Sequence, residues 1–222
     1  MDLEISHIRK SFKKKSVLRD ITLSGKKGDC IGILGGNGCG KTTLLSILAG
    51  AQKADEGSFF WQGSDMLKDD VLRSRMVGYV PQGTPLFEEL SAKDNLRLWY
   101  DKEDMKKELT DGVLAMLGID EFLKVPVGKL SGGMKKRLSI GCAVAGKPPI
   151  LLLDEPTAAL DLVCRQRIWD YLADYRQRGG IVLLVTHDIA EIENCSKCFL
   201  FKDGSLVDYV YDGDVRGLVG QL

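Results

Sequence analysis

The chain has 222 residues, 44% hydrophobic and 28% charged, enough to bury one substantial core with room for an inserted lobe. Lys plus Arg and Asp plus Glu number 31 each, so no global positive field recruits nucleic acid. No stretch approaches about 18 uninterrupted apolar residues, which excludes a membrane-spanning helix, and the opening MDLEISHIRKSFKKK has no apolar signal core.

The segments around Leu3, Ile5 and Ile8, then around Val17, Ile21 and Leu23, have polar neighbours and predict strands with one wet face. CIGIL (Cys30–Leu34) is an apolar run feeding a glycine-rich loop, and residues 42–49 read as a helix stopped by Gly50. Residues 57–65 predict a strand with turns at both ends, and residues 76–82 a strand closed by Pro81. From 83 to 147 the pattern turns helical. Ser91 with Asp94 forms a capping signal, and Met105, Leu109, Val113, Met116 and Leu117 space a helix over 102–117. After Pro148 and Pro149, ILLLDEP and IVLLVTH are continuous apolar strands separated by a helical stretch with Ile168, Trp169, Leu172 and Tyr175. That alternation indicates a parallel sheet buried on both faces. Asp203-Gly204 between two apolar runs predicts a hairpin.

Six scattered cysteines suggest a reducing compartment; only Cys195 and Cys198 have C-x-x-C spacing, with no second pair to complete a zinc site. They read as small apolar residues flanking a turn, with a metal or redox pair as the alternative. Arg9 and Lys10 with Lys13, Lys14 and Lys15 form a basic cluster, read as a solvated loop between strands, with phospholipid headgroups as the other reading.

Gly35, Gly36, Asn37, Gly38, Cys39, Gly40, Lys41 and Thr42 match G-x-x-x-x-G-K-[ST] between a strand and a helix, with Thr43 following. Glycines let successive N–H groups turn toward phosphate oxygens at a positive helix N-terminus. Lys41 is placed to reach the β- and γ-phosphates, and the Thr42 hydroxyl to bind Mg²⁺. ILLLDEP ends a buried strand on Asp154, a carboxylate suited to Mg²⁺, and on Glu155, placed to orient or deprotonate water. LSGGM (residues 130–134) opens a second helix with an anion-binding N-terminus that lacks a lysine, a part for which a kinase or GTPase has no use.

These motifs, in this order, resemble the ATP-binding subunit of an ABC transporter over nearly the whole chain. The resemblance implies an α/β fold: a P-loop NTPase core with a mostly parallel sheet (residues 1–82 and 148–222), an N-terminal antiparallel β subdomain, and an inserted helical subdomain (83–147), all in one domain. It implies ATP and Mg²⁺ as ligands. Phe12 takes the place of the aromatic that stacks on adenine, with Val17 beside it; Phe12 as simple core is the alternative. Gln82 corresponds to the glutamine that contacts Mg²⁺ and senses the γ-phosphate. Ser131, Gly132 and Gly133 correspond to the signature that binds ATP held by a partner subunit, Ala159-Leu160-Asp161 to the D-loop, and His187 to the switch histidine. Glu155, His187, Lys41 and Gln82 are thus the expected catalytic set, and Thr42, Gln82 and Asp154 the expected metal set.

The chain departs from the family pattern in three places. Met134 stands where Gln is usual, Phe12 where Tyr is usual, and Cys39 where a small residue is usual, so thiol modification at Cys39 is expected to block ATP. LSGGM with KKRL resembles the version found in bacterial exporters, and the end at Leu222 leaves little room for a regulatory domain. The implied partners are a permease subunit and a second ATPase subunit, identical or paralogous, which puts the chain at the inner face of the cell membrane, in the cytoplasm. Nucleic acid is not expected. A non-transport relative acting on ribosomes or DNA is the alternative, though the usual second ATPase domain, coiled coil or zinc module is not seen, and no N-K-x-D for guanine is found.

Overall fold

The two N-terminal runs are strands β1 (Leu3–Phe12) and β2 (Lys15–Gly25), paired antiparallel. Leu3, Ile5, Ile8, Leu18, Ile21 and Leu23 are buried between exposed or half-buried neighbours, as one wet face requires, and shifts in the pairing register interrupt strict alternation. The computed structural model describes every residue except Lys14, Ala159, Val215, Arg216, Val219, Gln221 and Leu222; the middle of the basic cluster, the first D-loop residue and the C-terminal residue therefore lie outside the described residues.

Strand β3 (Cys30–Leu34) runs into the glycine loop and helix α1 (Lys41–Ala49), which Gly50 closes in the left-handed conformation. The predicted strand over 57–65 is a hairpin, β4 (Glu56–Trp61) and β5 (Ser64–Asp65). Met76 does not start a strand. It ends helix α2 (Asp70–Met76), whose cap Asp69 accepts from Leu72 N at 2.8 Å, and β6 is only Val77–Val80.

Between β6 and β7 the named elements are helical: α3 (Ala92–Leu96), α4 (Lys102–Asp111), α5 (Val113–Met116) and α6 (Gly132–Ala143), with two short 3₁₀ turns. The helix expected over 102–117 is two pieces. Gly112 is extended, and the Glu108 carboxylate accepts from Val113 N at 2.9 Å, so a side chain caps the second piece where the backbone ladder breaks. Strand β7 (Ile150–Asp154), helix α7 (Leu162–Gln177), β8 (Ile181–Val185), α8 (Ile189–Glu193), β9 (Lys197–Lys202) and β10 (Ser205–Tyr209) are the remaining named elements among the described residues.

The sheet order is β5-β4-β1-β2-β10-β9-β3-β8-β7-β6, and β9, β3, β8, β7 and β6 are all parallel. Every residue of β3, β7 and β8 is buried. Ile31, Ile33, Leu152 and Leu183 pack toward α1 and the N-terminal strands, whereas Leu151, Leu153, Val182 and Leu184 pack toward α6 and α7. A strand clothed on both faces has no use for polar positions until its end, and Asp154 stands at that end.

Candidate functional site

The glycine loop, the end of β7 and the end of β6 meet at the C-terminal edge of the parallel strands, the usual place for a ligand in an α/β sheet. A cavity of about 480 Å³ there is lined by Phe12, Val17, Asn37, Gly38, Gly40, Lys41, Thr42, Thr43, Gln82, Asp154 and Glu155. Gly38 and Gly40, at φ 75° and 126°, make the curl that a residue with a Cβ resists. Lys41 is 7% exposed, and its ammonium donates to the carbonyls of Gly35 (2.6 Å) and Gly36 (2.9 Å). Cys39 Sγ lies 3.9 Å from Lys41 Nζ. Phe12 is 44% exposed with Lys10 Nζ 5.6 Å from its ring centroid, so it is not core.

Thr42 Oγ1 donates to Asp154 Oδ2 at 2.8 Å. Burial raises the Asp154 carboxyl above its ordinary value, against the Thr42 hydrogen bond and the nearby ammonium groups of Lys136 and Lys41, which lower it. The next residue, Glu155, sits at φ 49°, a left-handed conformation costing about 1–3 kcal/mol outside glycine. Its carboxylate is held at both oxygens: Gln82 Nε2 donates to Oε2 at 2.8 Å, and His187 Nδ1 lies 3.2 Å from Oε1. His187 lines the adjoining cavity with Glu155, Arg165 and Asp188.

Ser131, Gly132 and Gly133 do not line the Lys41 cavity. Ser131 is exposed and caps α6, accepting from Met134 N at 3.2 Å. Gly133 is buried so close to α7 that an added Cβ would come within 2.6 Å of Cys164 Sγ and 3.7 Å of Asp161 Oδ2. Asp161 caps α7 through Cys164 N at 2.9 Å, and that backbone hydrogen bond holds its carboxyl below the ordinary value. The predicted residues therefore form two groups, one around Lys41 and one around Ser131 and Asp161.

Several residues that sequence reasoning missed tie these groups together. Arg165 bridges Leu160 O (3.0 Å) and Asp188 Oδ2 (2.8 Å), linking the D-loop to the residue after His187. Buried Glu191 accepts from Thr157 N at 3.0 Å and from the Thr157 hydroxyl, behind the DEP turn. Lys136 Nζ donates to Pro81 O at 3.1 Å and Gln82 O at 3.3 Å. An HD-x-x-E spacing and a lysine inside LSGGMKK were the only signals available.

Elsewhere, Cys195 and Cys198 pack over Gly32, with Cys30 and Cys195 sulfurs 3.8 Å apart, and no metal-competent cluster occurs among the described residues. Arg9 and Lys10 pair with Glu56 and Asp55. A cavity of about 540 Å³ at the opposite ends of the strands has its Tyr100 and Tyr175 hydroxyls already donating to main-chain carbonyls. No helix among the described residues is long and apolar enough to cross a membrane.

The family model described as ABC transporter matches residues 18–158. The "Probable multidrug ABC transporter ATP-binding protein YbhF" of Escherichia coli is 34% identical over 86% of this chain and 33% of its own length. The linearmycin resistance ATP-binding protein LnrL of Bacillus subtilis is 32% identical over 92% of this chain and 68% of its own length. The chain thus spans about a third of the first relative and two thirds of the second. Proteins named for spermidine/putrescine import match at similar identity. Among solved structures, the ATP-binding cassette MJ0796, dimeric and bound to ADP and Pi, superposes with a TM-score of 0.83 at 28% identity, covering 95% of this chain and 99% of that one.

Proposed function

This chain belongs to the ABC transporter family, with the fold of its ATP-binding cassette, and on that footing we propose that it binds and hydrolyses ATP to move a solute through a separate permease. The cavity residues fit a magnesium nucleotide. Asp154 is a buried carboxylate with a hydroxyl, Thr42, as its hydrogen-bond donor, a pair suited to a divalent cation. Thr42, Asp154 and Gln82 would hold Mg²⁺, which supplies charge neutralisation on the β- and γ-phosphates. Lys41 exchanges two loop carbonyls for phosphate oxygens, gaining charge-assisted bonds. Main-chain N–H groups from Gly35 to Thr43 cradle the phosphates, and the exposed Phe12 ring, with Val17, offers a face to adenine.

Glu155 takes a proton from the attacking water, with Gln82 and His187 fixing the direction of its lone pairs, and His187 also meets the γ-phosphate. The double hold on Glu155 at the mouth of the Lys41 cavity is the observation that carries this reading. Ser131, Gly132, Gly133 and Asp161 serve a nucleotide on a second ATPase subunit, which their separation from the Lys41 cavity supports. Exposed Phe87 and Leu90 suit contact with the permease, and in this reading the chain works at the cytoplasmic face of a membrane. The names of YbhF and LnrL, with the LSGGM signature, favour export.

The purified chain is expected to release phosphate from MgATP. Glu155→Gln is expected to keep ATP binding, lose turnover by about 10²–10⁴-fold, and accumulate an ATP-bound dimer on size-exclusion chromatography. Unchanged turnover in that variant overturns the assignment of the base. With the native permease reconstituted in vesicles, outward movement of the solute that stimulates hydrolysis supports export, and inward movement reverses it.

A further inference from the structure

Lys136 is the fifth residue of α6, the helix that opens with Gly132 and Gly133, and it is 6% exposed. An ammonium taken out of water is expensive unless its donors are used. Its donors go to two consecutive main-chain carbonyls, Pro81 O and Gln82 O, 55 and 54 residues earlier in the chain. These carbonyls belong to the turn that leaves β6, and the Gln82 side chain from that turn donates to Glu155 Oε2. A continuous set of bonds therefore runs from α6 through Lys136 and the Gln82 turn to the Glu155 carboxylate. Gln82 itself is exposed and no other side chain among the described hydrogen bonds grips its main chain.

We infer that Lys136 is a positioning residue: by holding the Pro81 and Gln82 carbonyls it sets where Gln82 meets Glu155, and it ties the helix bearing Ser131 to the carboxylate that activates water. This rests on the assignment of Glu155 given above.

The test is a double-mutant cycle in the full chain, with kcat, KM for MgATP, and Kd for a fluorescent ATP analogue as readouts. Lys136→Met is expected to lower kcat by about 10- to 100-fold while Kd changes by less than about threefold. In a Gln82→Ala background the same change is expected to cost clearly less kcat than in the parent chain, because the side chain through which the hold acts is gone and only the direct field of the ammonium at Asp154 is lost. Lys136→Arg keeps the charge and has donors for the two carbonyls, but its planar fork is larger than the buried ammonium, so it is expected to recover part of the kcat that Lys136→Met loses. If Lys136→Met does not fold, Lys136→Gln takes its place in the cycle. Losses that multiply in the double variant, a raised KM with kcat intact, or an Arg variant as poor as Met would each overturn the inference. A parent chain without ATPase activity, or full turnover in Glu155→Gln, would instead sink the reading on which it rests.

Discussion

Asp154 is costly in the nucleotide-free chain. Folding buries it and raises its pKa, so the folded state prefers the protonated carboxyl. A raised carboxylate favours folding below that folded value, and the advantage is lost as pH rises through it. Asparagine has nearly the shape of the protonated acid and carries no charge. Asp154→Asn is therefore expected to raise the melting temperature of the nucleotide-free chain at neutral pH, by about 2–4 °C per kcal/mol relieved in a domain of this size. The gain should shrink as pH falls and vanish where Asp154 is protonated, while ATP hydrolysis is lost throughout. Calorimetry across the acid range with a chelator present checks this, and a gain independent of pH would count against it. Excess MgATP should reverse the ranking, since ligand bound at 100 times its Kd adds about 2.7 kcal/mol to the parent chain. Lys41, Thr42, Asp154 and Glu155 could be read from the sequence because spacing puts them at the junctions of strands and helices. Lys136, Arg165 and Glu191 could not, because their partners lie 55, 23 and 34 residues away and only the closed fold brings them together.

At the scale of elements, residues whose backbone needs are special carry the joints. The hairpin predicted at Asp203-Gly204 has φ 49° and 80° at those positions, the turn that matches the twist of β9 and β10. Gly204 O also accepts from Arg19 N at 2.7 Å, so the turn fastens the parallel strands to β2. A Cβ at Gly204 would meet Arg19 Cγ at 2.9 Å and Val17 O at 3.2 Å. Gly204→Ala is expected to cost about 1–2 kcal/mol, from the left-handed backbone and this crowding. A thermal melt unchanged from the parent chain would show that the joint carries no strain. Apolar periodicity marked β1, β3, β7 and β8 because burial on one or both faces leaves a pattern that does not depend on distant partners. It passed over α2, a seven-residue helix with few apolar residues, and it ran α4 into α5, because the break depends on a Glu108 side chain taking the place of a backbone acceptor.

At the scale of the whole molecule, the separation of the two groups of site residues has a measurable consequence. One chain holds Lys41 with Asp154 and Glu155 in a cavity, and holds Ser131 exposed outside that cavity, at the start of the helix whose Gly133 packs by Asp161. If a working site takes Lys41 from one copy and Ser131 from another, each two-fold dimer has two composite sites. Lys41→Ala removes the first contribution and Ser131→Arg the second; Ser131 is exposed, so the larger side chain is accommodated in the monomer at the cost of a helix cap, about 1 kcal/mol. Neither variant alone should hydrolyse ATP, because every site in either homodimer lacks one part. In a mixed dimer, one site joins both lesions and the other joins Lys41 of the Ser131→Arg chain to Ser131 of the Lys41→Ala chain, and that site is intact. Equal mixing makes half of the dimers mixed, each with one site of two, so activity should return to about a quarter of the parent value if the sites act independently. Recovery should rise with total chain concentration as dimers form. No recovery at any ratio would mean that a copy of this chain does not complete the site and that a different ATPase subunit does.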